Sequence, residues 1–465
     1  MPARRTLLIL GLILLVGLGL RVYKARHPIP HPGVDADTYS SIARQLYQDH
    51  NYGATVQDAT DWSPGAPLLY SAVYFATGGV HAGAARLLVA LLGTATIVVV
   101  FFLGRRLGGD ATGLLAAGLT AVYPYFVYDA GRLMSEPLGC LALASAMLAF
   151  LWVADPGRPL WAWAVPGLLF GVTALARPEY LLFGPVFAVL VYLRARRPGR
   201  ASSRAFVRLW RGHGRPRHPA DLREGSGGPR PMVLGWRPAP AVVFLGAFVL
   251  AILPWTIRNY VVLDRVVPIS TGGGKALFIG TFLPGDGNHF KTKIVLYHRF
   301  HPGSHRSDER ILESDPRPLL DQVAARYPNL SRDSALAKVG REDLKHYLLH
   351  QPLDYAAMLA RKARRMWSPS GKSMSSAGAV VMHCLLLAFG LGGLVLLALR
   401  RRAEALWFGL VMLGITFTGM LLLAGTRRNV VLMPLVITLA SFAATQLALY
   451  ISSRRGRPAH SPVPG

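Results

Sequence analysis

Apolar residues fall in long runs separated by short polar connections, and this pattern fixes the fold class. The runs cover about 6–22, 84–103, 111–128, 134–153, 160–176, 179–193, 239–257, 378–399, 405–424 and 429–452. A bilayer core of about 30 Å takes roughly 20 helical residues to cross. The pattern therefore predicts an all-α polytopic membrane protein with about ten or more transmembrane helices. The runs at 111–128, 160–176 and 179–193 are short for that task.

Between the spans two stretches carry a different period. After the first run, Tyr39, Ile42, Ala43, Leu46 and Tyr47 recur at helical spacing, which predicts a short amphipathic helix over 36–49. The segment 258–377 is too long and polar for a turn. It begins with strand-like Val261-Val262-Leu263 and Val266-Val267-Pro268-Ile269, then a glycine-rich turn and an irregular loop. A helix at about 333–349 follows, with Leu336, Val339, Leu344, Tyr347 and Leu348 on one side. Pro352 opens another that runs to Trp367, and its other face carries Arg361, Lys362, Arg364 and Arg365. A helix of that polarity, ending in Trp before a span, belongs at headgroup level. The outer face is thus expected to carry amphipathic helices and a small cap.

Composition agrees: 52% of the 465 residues are apolar and only 16% charged, too few charges to cover a soluble surface. The net charge of +27 does not indicate nucleic acid, because the basic residues gather in the loops between apolar segments and at the two ends. Threading the chain from a cytoplasmic N-terminus places Arg105-Arg106, Asp155 to Arg158, the stretch 194–238, Arg400 to Arg402 and Arg454-Arg455 inside, as the positive-inside rule requires. The first run lacks a small-residue cleavage site before Arg21 and reads as an uncleaved span. Cys140 and Cys384 stand far apart inside apolar runs, which excludes a disulfide framework or a zinc site.

The organisation read from this is an N-terminal transmembrane module, 1–193, with a first outer loop at 23–83. A basic cytoplasmic linker at 194–238, rich in Arg, Gly, Pro and Ser, follows and suits anionic lipid headgroups. Then come a span at 239–257, the outer region 258–377, the C-terminal spans at 378–452 and a cytoplasmic tail at 453–465.

Ionisable residues at the edge of an apolar segment are functional candidates, because uncompensated charge is costly there. In the first outer loop stand Asp35 and Asp37. A carboxylate there could take a proton from an acceptor hydroxyl, or one of the pair could cap the helix at 36–49. Glu136 opens a span in Arg132-Leu133-Met134-Ser135-Glu136-Pro137, where an acid in the first turn also stabilises a helix without further purpose. Arg177 in Ala176-Arg177-Pro178-Glu179, and Arg427 and Arg428 in Gly425-Thr426-Arg427-Arg428-Asn429, put arginine outside, against the charge bias. Guanidinium suits phosphate because it stays charged and donates two parallel hydrogen bonds. The run Gly272-Gly273-Gly274-Lys275 is followed by Ala276 rather than a hydroxyl residue, so it is not a nucleotide phosphate loop; it reads as a tight turn with backbone donors toward a cavity.

Together Asp35-Ala36-Asp37-Thr38-Tyr39, Pro64-Gly65-Ala66-Pro67, Met134-Ser135-Glu136-Pro137, Ala176-Arg177-Pro178-Glu179, Leu253-Pro254-Trp255-Thr256-Ile257-Arg258 and Arg427 or Arg428 with Pro434 resemble the polyprenol-phosphate-sugar-dependent glycosyltransferases. These are enzymes of the C superfamily, such as the protein O-mannosyltransferases and the lipid A aminoarabinose transferases of family 39. The matches keep the family's order over about 5–440. The resemblance implies an inverting transfer of a monosaccharide from a polyprenyl-phosphate donor to an acceptor hydroxyl, at the extracytoplasmic face of the cell membrane. It implies Asp35 as general base with Asp37 its rival, Glu136 as a second acid, and Arg427, Arg428, Arg177 and Arg258 around the donor phosphate. The partners are then the lipid-linked sugar, membrane lipids and an unidentified acceptor. No cofactor is implied with certainty, and a divalent metal is left open. The competing class is a flippase of lipid-linked saccharides, which should carry charges deep within several spans.

Overall fold

The computed structural model describes residues 3–30, 33–53, 58–196, 238–423 and 427–455. Nearly all of the 194–238 linker and the tail from 456 lie outside these residues, as does the side chain of Arg427.

Every regular element among the described residues is helical. Seven helices are long and apolar enough to cross a membrane: Arg4–Arg26, Ala82–Gly108, Glu136–Val153, Ala239–Leu263, Ala377–Leu399, Ala403–Leu421 and Met433–Arg454. Three shorter apolar helices, Asp110–Val122, Leu160–Ala176 and Pro178–Leu193, complete the set; they are the three runs that looked short in the sequence. The bundle centres on an aromatic cluster of Phe150, Phe170, Phe187, Phe244 and Trp407. Its sides stay greasy: Leu8, Leu15, Leu250 and Leu413 are exposed, as lipid-facing residues should be.

The connections gather at two ends. At one, Arg106 grips Asp155 through two hydrogen bonds of 3.0 and 2.7 Å, Thr6 donates to Asp110, and Arg402 donates to Leu107 O. These are the basic connections of the alternating pattern. At the other end the helix Val34–Gln48, the helix Gly65–Thr77 and the 264–376 region assemble.

One short helix shows how the chain turns inside the bundle. Asp110–Val122 stops because Pro124 holds Tyr123 extended (ψ 121°). The carbonyls of Thr120 and Ala121 lose their helical partners there and are taken by Arg21 of the first span, at 2.9 Å each. Gly93 makes this possible, since a Cβ there would lie 2.7 Å from Arg21 Nε.

Two sequence expectations fail. Val261-Val262-Leu263 is not a strand but the last turn of Ala239–Leu263, which Asp264 ends at φ 51°. Residues 267–269 fold back onto that helix instead, their carbonyls bonded by Asn259 and Trp255. The loop read as irregular is helical in pieces, His289–Phe300, Asp308–Glu313 and Arg317–Ala324. With Gly273–Thr281 and Arg332–His350 these enclose a second core of Phe278, Ile279, Leu296, Leu320 and Val339. The helices expected at 333–349 and from Pro352 to Trp367 form as Arg332–His350 and Pro352–Trp367.

Candidate functional site

The first-loop helix starts two residues earlier than its periodicity suggests. Gly33 occupies the N-cap without a side-chain bond, so Asp35 and Asp37 are not caps but residues of the first turn. At about 100° per residue they point to different sides. Asp35 is half-buried, one turn before buried Tyr39, whereas Asp37 is exposed.

Tyr39 carries the loop to the second motif. Its ring packs edge-on against Trp62 and its hydroxyl donates to Ser135 Oγ at 3.4 Å. Burial raises the Tyr39 pKa while the nearby charge of Arg177 opposes that. Ser135 in turn lies 3.5 Å from Glu136 Oε2, and Tyr70 donates to Met134 O at 2.5 Å. First-loop helices thus hold Met134-Ser135-Glu136 from above.

Glu136 is fully buried. Arg177 approaches its Oε1 at 3.9 Å and reaches Glu179 Oε1 at 3.6 Å. A second buried ion pair, Asp129 with Arg132, stands beside it. A small pocket opens against both acids, with Thr96, Phe126 and Cys140 in its wall. Asp129 was not singled out in the sequence, although its i,i+3 spacing to Arg132 was a usable signal.

The Arg427–Val430 turn places the Arg428 guanidinium in the interior, and its Nη1 has no hydrogen-bond partner among the described residues. Burial lowers its pKa, with Glu179 opposing. The neighbouring Asn429 is buried and donates to Met366 O at 2.6 Å, and Cys140 reaches Val430 O. The last motif therefore meets the Glu136 helix and the end of the Pro352–Trp367 helix at one place.

Arg258 is engaged differently. Its guanidinium lies 4.8 Å over Trp255 and 5.3 Å over Tyr52 and donates to Asn259 Oδ1. The glycine-rich run also departs from its expectation: the N–H groups of Gly274 and Lys275 point to Asp333 Oδ1 at 2.9 and 3.2 Å, not into a cavity. Among the described residues no three His, Cys, Asp or Glu side chains gather as metal ligands.

Residues 61–207 match the sequence model of the family described as dolichyl-phosphate-mannose-protein mannosyltransferase. No curated protein sequence matches the chain. Among solved structures, the archaeal oligosaccharyltransferase AglB from Archaeoglobus fulgidus, in complex with an inhibitory peptide and a dolichol-phosphate, aligns with 99% of this chain at 14% identity and a TM-score of 0.53. The apo form of the Archaeoglobus fulgidus oligosaccharyltransferase aligns over the same share at 15% identity and a TM-score of 0.51. In both cases 53% of the other chain is covered, so this chain spans about half the length of those proteins. ArnT from Cupriavidus metallidurans bound to undecaprenyl phosphate aligns over 98% of this chain and 81% of its own at 16% identity, with a TM-score of only 0.39. Over nearly its whole length the chain therefore shares the helical membrane fold of those oligosaccharyltransferase structures, and its residues 61–207 match a mannosyltransferase family model.

Proposed function

We propose that the protein is an inverting glycosyltransferase that moves a monosaccharide from a polyprenyl-phosphate donor to an acceptor hydroxyl, at the extracytoplasmic face of the cell membrane. The observation that carries this reading is Arg428. The residue is half-buried, but its Nη1 is out of water with no partner among the described residues, which is costly, and an anion placed against it removes that cost. Its surroundings, with Glu179, Arg177 and Glu136 in succession, suit a phosphate held among fixed alternating charges.

In this reading Asp35 takes the proton of the acceptor hydroxyl. The oxygen attacks the anomeric carbon on the side opposite the phosphate, the carbon–phosphate oxygen bond breaks, and the configuration inverts. Polyprenyl phosphate leaves with the electron pair, and Arg428 and Arg177 stabilise the charge that grows on it. Glu136 keeps Arg177 oriented. Asp35 is favoured over Asp37 because it shares the Tyr39 side of its helix, toward Ser135 and Glu136, whereas Asp37 faces solvent.

Purified protein with a radiolabelled polyprenyl-phosphate sugar tests the assignment. Asp35→Asn should lower kcat by about 100-fold or more, and Asp37→Asn should retain most of the activity. Full transfer by both variants would show that neither is the base.

A further inference from the structure

Lys362 lies outside the spans yet is completely buried. With Tyr355, Met358 and Met366 it forms the inward stripe of the Pro352–Trp367 helix. An ammonium in such a stripe loses its hydration, and nothing apolar in the fold explains why a methionine does not stand there.

Its surroundings compensate it poorly. Among the described residues its one hydrogen bond goes to Gly280 O at 2.7 Å, out of three available donors. Asp286 is already shared by Arg361 at 2.8 Å and Arg365 at 2.6 Å. The turn beneath is shaped for the side chain: a Cβ at Gly287, itself at φ 58°, would lie 2.6 Å from Lys362 Cδ. One helical turn further, Met366 O accepts the bond from Asn429, the neighbour of Arg428. A Cβ at Gly419 would touch both Met366 Sδ at 3.0 Å and Arg428 Cδ at 3.9 Å. The helix is therefore locked to the turn that carries Arg428, and two cations stand near each other, Lys362 fully buried and Arg428 half-buried with its Nη1 unused.

We infer that Lys362 is a second cation of the donor phosphate site, supplied by the cap helix Pro352–Trp367 and closing on the phosphate together with Arg428. This rests on the reading of Arg428 as a phosphate ligand. Burial pulls the lysine down to about 7, with Arg428 and then Arg365 lowering it further and Asp286 opposing. The other elements packed on this helix bring no further charge to the lysine: the 283–285 turn has no titratable residue, Glu404 begins the far end of Ala403–Leu421, and Asp343 of Arg332–His350 acts on Tyr355, two turns away. An arriving phosphate raises the lysine's pKa, so binding takes up a proton. Affinity is then full below about pH 7 and falls as the pH rises above it.

The test is equilibrium binding of tritiated farnesyl methyl phosphate to the full chain in detergent. This diester keeps a single charge from pH 6 to pH 9, so any slope belongs to the protein. Wild type should bind about tenfold more weakly at pH 9 than at pH 6. Lys362→Met should bind weakly at both, and Lys362→Arg tightly at both, because guanidinium stays charged. Circular dichroism melting checks folding; should Lys362→Met misfold, the profile of Lys362→Arg decides. A methionine variant that binds like wild type, or an arginine variant with the wild-type slope, overturns the inference. Arg428→Gln separates the two readings: if it weakens binding while Lys362→Met does not, only the lysine assignment fails, and if neither weakens it, the phosphate site itself is misplaced.

Discussion

At the scale of single residues, burial sorts groups between which the sequence does not decide. Asp35 and Asp37 are two acids in one helical turn; the sequence leans toward Asp35 and leaves Asp37 its rival, and the packing of Tyr39 on Trp62 and Ser135 shows that the Asp35 side faces inward. Lys362 was legible in principle. Four cations within five positions look like a solvated face, but Tyr355, Met358 and Met366 place Lys362 on the apolar stripe and leave Arg361 and Arg364 outside. Asp129 hid at the end of an apolar run. Because its partner Arg132 is also largely buried, Asp129→Asn should destabilise the detergent-solubilised protein by about 3 kcal/mol, the cost of removing one member of a buried ion pair. Combining it with Arg132→Gln should recover part of that loss, a non-additivity that a double-mutant cycle of thermal unfolding measures. Additive losses would mean that the two side chains do not act as a pair.

Among elements, the sequence reports length and apolarity well and interruptions less well. All ten apolar runs correspond to helices, the three short ones to the shorter helices, and the first of these is short because Pro124 ends it at Tyr123. The failure at 261–269 has a simple cause. Valine and isoleucine favour strands only where a neighbouring strand can pair with them, and here they extend a helix and then fold back on its side chains. Arg21 shows the limit of reading from sequence. It looks like the outer border of the first span, yet that helix continues to Arg26 and Arg21 turns inward to the carbonyls of Gly17, Thr120 and Ala121. Nothing near Arg21 in the chain announces the break at Pro124, a hundred residues away. Arg21→Met should leave the Thr120 and Ala121 carbonyls unpaired in an apolar surrounding, at about 1–3 kcal/mol each. Thermal unfolding should show the loss, and Arg21→Lys should restore only part, since one ammonium does not reproduce the planar fork. A wild-type melting curve for Arg21→Met would refute the capping role.

For the whole molecule the decisive property is that its charges are divided between two ends. One end is tied by Arg106 with Asp155, Thr6 with Asp110 and Arg402 with Leu107. The other holds Asp35, Glu136, Arg177, Arg428 and the cap. A carrier that flips lipid-linked saccharides needs polar groups along the path through the bilayer, whereas the one fully buried charge inside the first span, Arg21, has its Nη donors bonded to backbone carbonyls. That distribution favours chemistry at one surface over transport. The positive-inside rule, counted over short connections, predicts which surface: Arg105-Arg106, Arg158 and Arg400 to Arg402 assign their end to the cytoplasm and the cap to the outside. Leu353, at the tip of the cap and 84% exposed, and Arg158, in a basic-end connection, allow this to be tested. In intact cells a membrane-impermeant maleimide should label Leu353→Cys, while Arg158→Cys should react only after permeabilisation. The native thiols interfere little, because Cys140 is buried and Cys384 opens from a span toward lipid. Labelling of Arg158→Cys alone from outside would invert the molecule, place Asp35 and Arg428 in the cytoplasm, and require a donor whose sugar is presented on that face.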